Sequence, residues 1–438
     1  MRLRLLRQNL MQDRPGWQRP FFLIWSGQAV SLLGSSLVQF ALVWWLTQET
    51  GSATVLAGAT LAALLPGIVI GPFAGALVDR WSRRWVMVVA DGGIALTTAW
   101  AVAMAWSGAL QPWHVYLVMF IRGTGGAFHW PAMQASTSLM VPSRHLARVA
   151  GMNQTLYGVM NIMAPPLGAL LLSLFSLVYV LLIDIGTALV AILPLLFIAV
   201  PQPSPAAAGD GDGPARRSVL GDLAAGVRYT AAWPGLLLLM AMAMLINFVV
   251  TPAFSLMPLL VVDHFQGGPW HLGGLESAFG VGVVLGGVLL SAWGGFKRRI
   301  LTSLAGLAGM GIGILLLGLT PPALFTLGLA ALFLAGFTQP MVNGPIMAII
   351  QAKVASDMQG RIFTLLFAAA TAMTPLSLAV AGPVADRLGI TTWYVVGGLA
   401  CLLIAGAGLF LRPVMSIESH QDASGAAAAE AGAGGADD

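Results

Sequence analysis

The feature that most constrains this chain is a succession of long apolar stretches broken by short turns that carry nearly all of its charge. A helix that crosses the hydrocarbon core of a bilayer needs about 20 mostly apolar residues. Charges and Pro/Gly turns divide the sequence into twelve such segments: 21–46, 54–78, 86–107, 113–134, 149–172, 175–200, 235–262, 272–293, 300–318, 322–350, 362–384 and 390–411. Only 9% of the 438 residues are Asp, Glu, Lys or Arg, and 58% are hydrophobic. A soluble domain carries about 25% charged residues, so this chain has too few to cover a water-facing surface, and lipid is its solvent. The expected fold class is an all-α membrane protein with twelve transmembrane helices in two six-helix bundles. The abundance of Gly (53) and Pro (25) fits, because both are tolerated in membrane helices. Trp17, Trp25, Trp81, Trp85, Trp113, Trp233, Trp270 and Trp393 lie near segment ends, as an interfacial aromatic belt requires.

Basic residues orient the segments, since Lys and Arg accumulate in cytoplasmic loops. With the N-terminus inside, the cytoplasmic turns receive 19 of the 21 basic residues. The exceptions are Arg122, within the fourth segment, and Arg387, on the outer side. This places both termini in the cytoplasm of a cell with a multi-pass inner-membrane protein. The net charge of +4 therefore reflects topology and not nucleic-acid binding. The stretch from Phe21 to Leu46 is too long for a signal-peptide core and reads as a retained helix.

The longest internal loop begins PQPSPAAAGDGDGPARR. The organisation that follows is a cytoplasmic segment at 1–20, a six-helix bundle at 21–200, a linker at 201–233, a second six-helix bundle at 234–412 and a disordered tail at 413–438. Within the linker, SVLGDLAAGVRYTAAW predicts an amphipathic helix lying at the membrane face. The turns GALVDRWSRR and GGVLLSAWGGFKRR are weakly alike and suggest duplication of a six-helix unit.

Few charges lie deep in the segments, and a charge there must face the bundle interior or a wet cavity. Arg122 is one and calls for a carboxylate partner. Asp184, in the sixth segment, is the deepest carboxylate; it reads as a proton carrier, a site for a cation or a structural partner. Asp91 lies about one turn into the third segment and is expected to pair with a loop arginine such as Arg148. Glu276 sits near the outer end of the eighth segment, in a vestibule or at a solvated helix end. Gly75, Asp79, Arg80, Arg83 and Arg84 cluster at the turn after the second segment. There Gly75 would let a neighbouring helix cross closely, Asp79 would cap a helix N-terminus, and the arginines would pair across the two bundles, forming a cytoplasmic gate. The prolines of Ala164-Pro165-Pro166 should interrupt backbone bonds and bend the fifth segment.

These residues carry a resemblance. GPFAGALVDRWSRRWVM, from Gly71 to Met87, is similar to the signature of the major facilitator superfamily between its second and third helices. RGTGGAFHWP after Arg122, GVMNIMAPPLGALL from Gly158 to Leu171, and GPVADRLG near the eleventh segment's end are similar to further motifs of its drug-efflux branch, which contains macrolide exporters and an enterobactin exporter. The resemblance covers about residues 18–412. It implies a major facilitator fold, proton coupling through Arg122 and Asp184, and a gate at Gly75, Asp79, Arg80, Arg83, Arg84 and Asp91. It also implies a central cavity around the first, fifth and seventh helices, where Gln28, Gln39, Phe40, Trp44, Asn153, Gln154, Asn161 and Asn247 are candidate lining residues, joined by Gln339 and Asn343.

The expected function is secondary active transport: proton-coupled efflux of an amphipathic, drug-like compound such as a macrolide by alternating access. The alternatives are export of a dedicated metabolite such as a siderophore, import of a nutrient, a membrane scaffold, and a membrane-embedded enzyme. Its partners are a small-molecule substrate, protons and membrane lipid, and the chain is expected to act as a monomer. No P-loop, HExxH, GxSxG or paired-cysteine motif occurs, so no catalytic residue, cofactor or metal is assigned. The single cysteine, Cys401, reads as a buried apolar residue.

Overall fold

The computed structural model describes residues 16–78, 80–202 and 219–419. Residues 1–15 of the expected N-terminal segment, Asp79, residues 203–218 of the expected linker and the tail beyond Ser419 lie outside the described residues. Within them the chain is all helix and turn. The long helices are α1 (Gln18–Thr50), α2 (Ala53–Val78), α3 (Arg83–Trp106), α4 (Pro112–Met140), α5 (Ser143–Leu174) and α6 (Leu177–Phe197). The expected amphipathic segment follows as α7 (Val219–Ala232). Then come α8 (Pro234–Ser255), α9 (Pro269–Trp293), α10 (Arg299–Leu319), α11 (Phe325–Lys353), α12 (Ser356–Leu388) and α13 (Ile390–Phe410).

Eleven of these helices are long and apolar enough to cross a bilayer, which makes the chain a multi-pass membrane protein. The long helix that falls short of that apolarity is α4, where His114, Arg122 and His129 interrupt the apolar run. The seventh apolar segment ends sooner than its hydropathy suggests. After Ser255 the chain breaks into a short turn at Met257–Leu259 and a wider one at Leu260–His264. The aromatic belt is also only partial. Trp81, Trp85, Trp113 and Trp270 are exposed, whereas Trp233 and Trp393 are buried, and Trp393 donates its Nε1–H to the Val249 carbonyl at 3.0 Å.

The chain forms two compact units. The first comprises Met1–Gly211, Ser255–Ser277 and Ala381–Asp386; the second comprises Asp212–Phe254, Ala278–Val380 and Arg387–Asp438. In the first unit α1 packs along α6, α2 along α4, and α3 against both α4 and α6. In the second, α10 packs against α11 and α13. Gly306 and Gly313 meet α11, and Gly311 and Gly318 meet α13, at distances that exclude any larger residue.

Helix α5 runs unbroken through Pro165 and Pro166. Pro166 has no N–H for the carbonyl of Ile162, one turn earlier. That carbonyl instead accepts a hydrogen bond from the Ser277 hydroxyl of α9 at 3.2 Å. A carbonyl left open in hydrocarbon costs several kcal/mol, so this partner is what makes the double proline tolerable. Gly273, one turn before Ser277, lies against Pro165 and Ala169.

The N-terminus of α2 is capped from a distant part of the sequence. The Asp386 carboxylate, in the last turn of α12, accepts the backbone N–H of Ala53 at 2.6 Å, that of Thr54 at 3.1 Å and the Ser52 hydroxyl at 3.1 Å. Gly382, one turn earlier, packs onto the backbone of Thr54. Desolvation, and then the negative charge of Asp386, holds the Asp263 carboxyl above the usual carboxylate range. Beyond α13 the chain stays ordered further than its composition predicts. Val414 and Ile417 are buried with Trp233, and Glu418 accepts the Ile300 N–H at the start of α10, at 2.8 Å.

Replacing the acid that caps α2 tests the strength of that tie. Asp386→Ala should lower stability by about 1 kcal/mol, read as a lower midpoint of thermal unfolding in detergent. Asp386→Asn, which keeps one acceptor, should lose less.

Candidate functional site: a buried ion pair in the first helical unit

Arg122 and Asp184 meet inside the first unit. Arg122 Nη1 lies 2.6 Å from Asp184 Oδ2, and the side chains are 8% and 1% exposed. Each charge is further satisfied. Arg122 Nη1 also donates to Thr98 Oγ1 at 3.2 Å, and Nη2 donates to the Ser35 carbonyl at 3.0 Å. Asp184 accepts from the Thr98 hydroxyl at 3.0 Å and from the Ser35 hydroxyl at 3.3 Å. Four helices thus contribute one group apiece: Ser35 from α1, Thr98 from α3, Arg122 from α4 and Asp184 from α6. A buried pair holds its geometry only when further hydrogen bonds satisfy its lone pairs and protons, and Ser35 and Thr98 supply four of them.

Glycines bring those helices close enough. A Cβ on Gly34 would fall 2.0 Å from Thr187 Oγ1 of α6, so α1 and α6 approach only because position 34 has no side chain. The next residue, Ser35, is thereby placed against Asp184. Gly123 does the same for α4, where a Cβ would fall 2.1 Å from the Ala63 carbonyl of α2. Gly125 lies against Ile94 and Ala90 of α3. Gly123 and Gly125 of RGTGGAF are therefore packing contacts that set the depth and direction of Arg122.

Asp91 has different partners from those expected. Its Oδ2 accepts from Gln28 Nε2 at 3.1 Å, and its Oδ1 lies 3.5 Å from His129 Nε2. The Gln28 Oε1 accepts from His129 Nε2 at 2.8 Å. Asp91 is buried, within reach of residues on α1 and α4 rather than of the loop around Arg148. Nothing in the linear sequence linked His129 to Asp91; the signal lay in their both being polar at depth on neighbouring helices.

The remaining gate residues do not behave as one cluster. Among the described residues a Cβ at Gly75 would meet nothing within 4 Å. Arg80 is exposed. Arg83 is buried and its Nη1 donates to the Ala135 carbonyl near the end of α4 at 2.8 Å. Arg84 donates to the Leu196 carbonyl at the end of α6 and lies over the Trp85 ring, 5.7 Å from its centroid. Arg84 thus meets a carbonyl in the last turn of α6, where a positive charge is favoured by the helix dipole, while Arg83 meets one more than a turn before the end of α4, and both partners belong to the first unit.

The candidate cavity residues are spread. Gln28 is committed to Asp91 and His129, Asn153 accepts from Trp25 Nε1 at 2.8 Å, and Gln39 donates to the Met119 sulfur at 3.4 Å. Phe40 and Trp44 are buried in packing, Phe40 against Gly168. Gln154 and Asn161 are exposed along α5. In the second unit, Asn247 donates to the Ala243 carbonyl of its own helix at 2.9 Å, Gln339 is half-buried and Asn343 is exposed. Among the described residues no group of three or more His, Cys, Asp or Glu could hold a metal ion.

The close approach of α1 and α6 is testable. Gly34→Ala should cost about 1–3 kcal/mol, as overpacking does, and Thr187→Ala in the same chain should recover much of it. Gly126→Ala, where a Cβ meets nothing within 4 Å, should leave the thermal unfolding midpoint unchanged or raise it. Equal losses at positions 34 and 126 would refute the packing account.

The family model described as Major Facilitator Superfamily matches residues 24–377. Macrolide efflux protein A of Streptococcus pyogenes is 34% identical over 395 residues, covering 90% of this chain and 96% of that protein. Multidrug efflux pump Tap of Mycolicibacterium fortuitum is 24% identical over 408 residues, covering 91% and 97%. Among solved structures, a bacterial homologue of the human lysosomal transporter Spinster aligns with a TM-score of 0.65 at 14% identity, covering 93% of this chain and 97% of that one. A D-xylose-proton symporter aligns with the same TM-score of 0.65 at 14% identity, covering 90% and 98%. At that identity the structures speak for the fold alone. The chain belongs to the major facilitator superfamily, resembles its macrolide-efflux branch, and is a secondary transporter rather than an enzyme.

Proposed function

We propose that this chain exports amphipathic, drug-like compounds, macrolides among them, by alternating access driven by proton entry. The observation that carries the reading is the Arg122–Asp184 pair, buried at 2.6 Å in a helix bundle of a membrane carrier. A guanidinium cannot give up its charge in a protein, but a carboxylate can. Protonating Asp184 would therefore cancel one half of the pair, free Arg122 from it and change what holds α1, α3, α4 and α6 together. A site that exchanges one strong contact for its loss on taking up a proton is a coupling centre. Likeness to an efflux protein for macrolides supports the substrate class, and the low count of buried charges favours an apolar or weakly charged compound. In this reading α4 is the twelfth span, despite its polar residues, and the basic turns place both termini on the cytoplasmic face of the inner membrane. Gln154, Asn161 and Asn343, exposed on α5 and α11, are the candidate cavity residues best placed to contact substrate. The carrier acts as a monomer.

The test uses the full chain reconstituted into proteoliposomes, with erythromycin as substrate and a pH-sensitive dye. An inward-acidic gradient across inside-out vesicles should drive erythromycin uptake, and erythromycin should evoke proton movement. Asp184→Asn should lower gradient-driven uptake about 10-fold or more while leaving erythromycin binding in place. Removing one partner of a buried pair costs about 3–5 kcal/mol, so Asp184→Asn alone risks misfolding. The double variant Arg122→Gln with Asp184→Asn removes both charges and should fold while still failing to couple. Full gradient-driven uptake in the double variant sinks the proposed centre.

A further inference from the structure

The ion pair is one of two polar layers in the first unit, and the same three helices supply both. Helix α1 gives Gln28 to one and Ser35 to the other. Helix α3 gives Asp91 and Thr98, and α4 gives His129 and Arg122. In each helix the two residues are seven positions apart, which is about two turns and about 10 Å of rise. Because α4 runs opposite to α1 and α3, its order is reversed, and the layers stay in register. The Gln28–Asp91–His129 layer lies toward the pole of the basic turn at Arg80–Arg84: Gln28 and Asp91 are nearer the starts of their helices, and His129 is nearer the end of α4.

From these observations we infer that Asp91, His129 and Gln28 form a second proton station, through which a proton from Asp184 passes toward the side of the basic turns. This rests on the coupled reading of the Arg122–Asp184 pair and extends it with a route. Three features support it. Between the two layers each helix carries a small residue, Ser31 on α1, Ala95 on α3 and Gly126 on α4, each three or four positions from both layers. A Cβ at Gly126 would meet nothing within 4 Å, and Ser31 offers a hydroxyl halfway. The far end of the route is also the most exposed: the His129 side chain is 20% exposed, against 8% for Arg122, 7% for Asp91 and 1% for Asp184. Finally, the groups have the right chemistry. Imidazole can take up a proton on one ring nitrogen and release it again. With Nε2–H donating to Gln28 Oε1, Nδ1 is the basic nitrogen.

The step balances as one proton moving with no change in covalent bonding elsewhere. Asp184, protonated from the outer side, loses its proton and pairs again with Arg122. Nδ1 of His129 takes a proton, and the imidazolium is held by the Asp91 carboxylate 3.5 Å away. Nδ1 then gives the proton up to water at the basic pole, and the neutral ring resets. The ionisable groups on the helices around the station are Asp91 of α3, His129 and Arg122 of α4, and Asp184 of α6; α1 presents only Gln28, Ser31 and Ser35. Arg83 and Arg84, at the start of α3, face the carbonyls of Ala135 and Leu196.

The test compares erythromycin-evoked proton flux with erythromycin binding, the latter read by tryptophan quenching, for the full reconstituted chain. His129→Gln keeps a hydrogen-bonding side chain but carries no titrating nitrogen. It should cut proton flux about 10-fold or more while binding changes less than about twofold. His129→Ala should recover flux when imidazole is added, and Gly126→Leu should block flux by filling the route. Wild-type flux in both His129→Gln and Gly126→Leu, loss of binding in parallel with flux, or no imidazole rescue would each overturn the relay. The two readings fail differently. A wild-type chain that evokes no proton movement sinks the coupled reading and the relay with it, whereas wild-type flux that survives the position 129 and 126 variants sinks the relay alone.

Discussion

A guanidinium and a carboxylate held 2.6 Å apart among membrane-spanning helices set the terms for the first unit. An isolated ion in hydrocarbon is costly, and two ions repay their desolvation only when close and fully hydrogen-bonded. Ser35 and Thr98 complete that bonding, so α1 and α3 are drawn to the pair as tightly as α4 and α6. Their approach in turn requires Gly34 against Thr187 and Gly123 against Ala63. Small residues that look like generic membrane-helix composition are thus tied to one electrostatic requirement.

Elsewhere in the fold the same rule recurs: polar backbone that a helix cannot satisfy by itself is satisfied from a distance. Ser277 serves the carbonyl that Pro166 leaves open, Asp386 serves the N–H groups at the start of α2, and Glu418 serves the start of α10. Arg83 and Arg84 serve carbonyls near the ends of α4 and α6. In water such groups would be solvated at little cost. In and near a bilayer each needs a protein partner, and these partners lie 112 to 333 positions away or, for Arg83, at a separation of 52. They stitch the helices together where apolar packing alone gives no direction.

Much of this was legible in one dimension. Apolar length marked nearly every long helix, and the depth of Arg122 and Asp184 singled them out as charges that must be paired. The amphipathic α7 could be read from its sequence. Other expectations failed for identifiable reasons. Asp91 was assigned to a loop arginine because both lie near one membrane face, yet His129 is closer in space through the packing of α3 on α4. The segment after α13 looks like filler by composition, but two apolar residues, Val414 and Ile417, suffice to anchor it beside Trp233.

By itself the sequence determined that this chain must live in lipid, that it does so as long helices, and that a few buried charges need company. These follow from transfer free energies, which are properties of single side chains and of their order along the chain. Only the tertiary structure decided which charges meet. Pairing depends on helix rotation and crossing, and those are set jointly by many small contacts on neighbouring helices. The seven-residue echo between Gln28 and Ser35, Asp91 and Thr98, and His129 and Arg122 was present in the linear order throughout. It acquires meaning only when α1, α3 and α4 stand side by side and turn those faces toward one another.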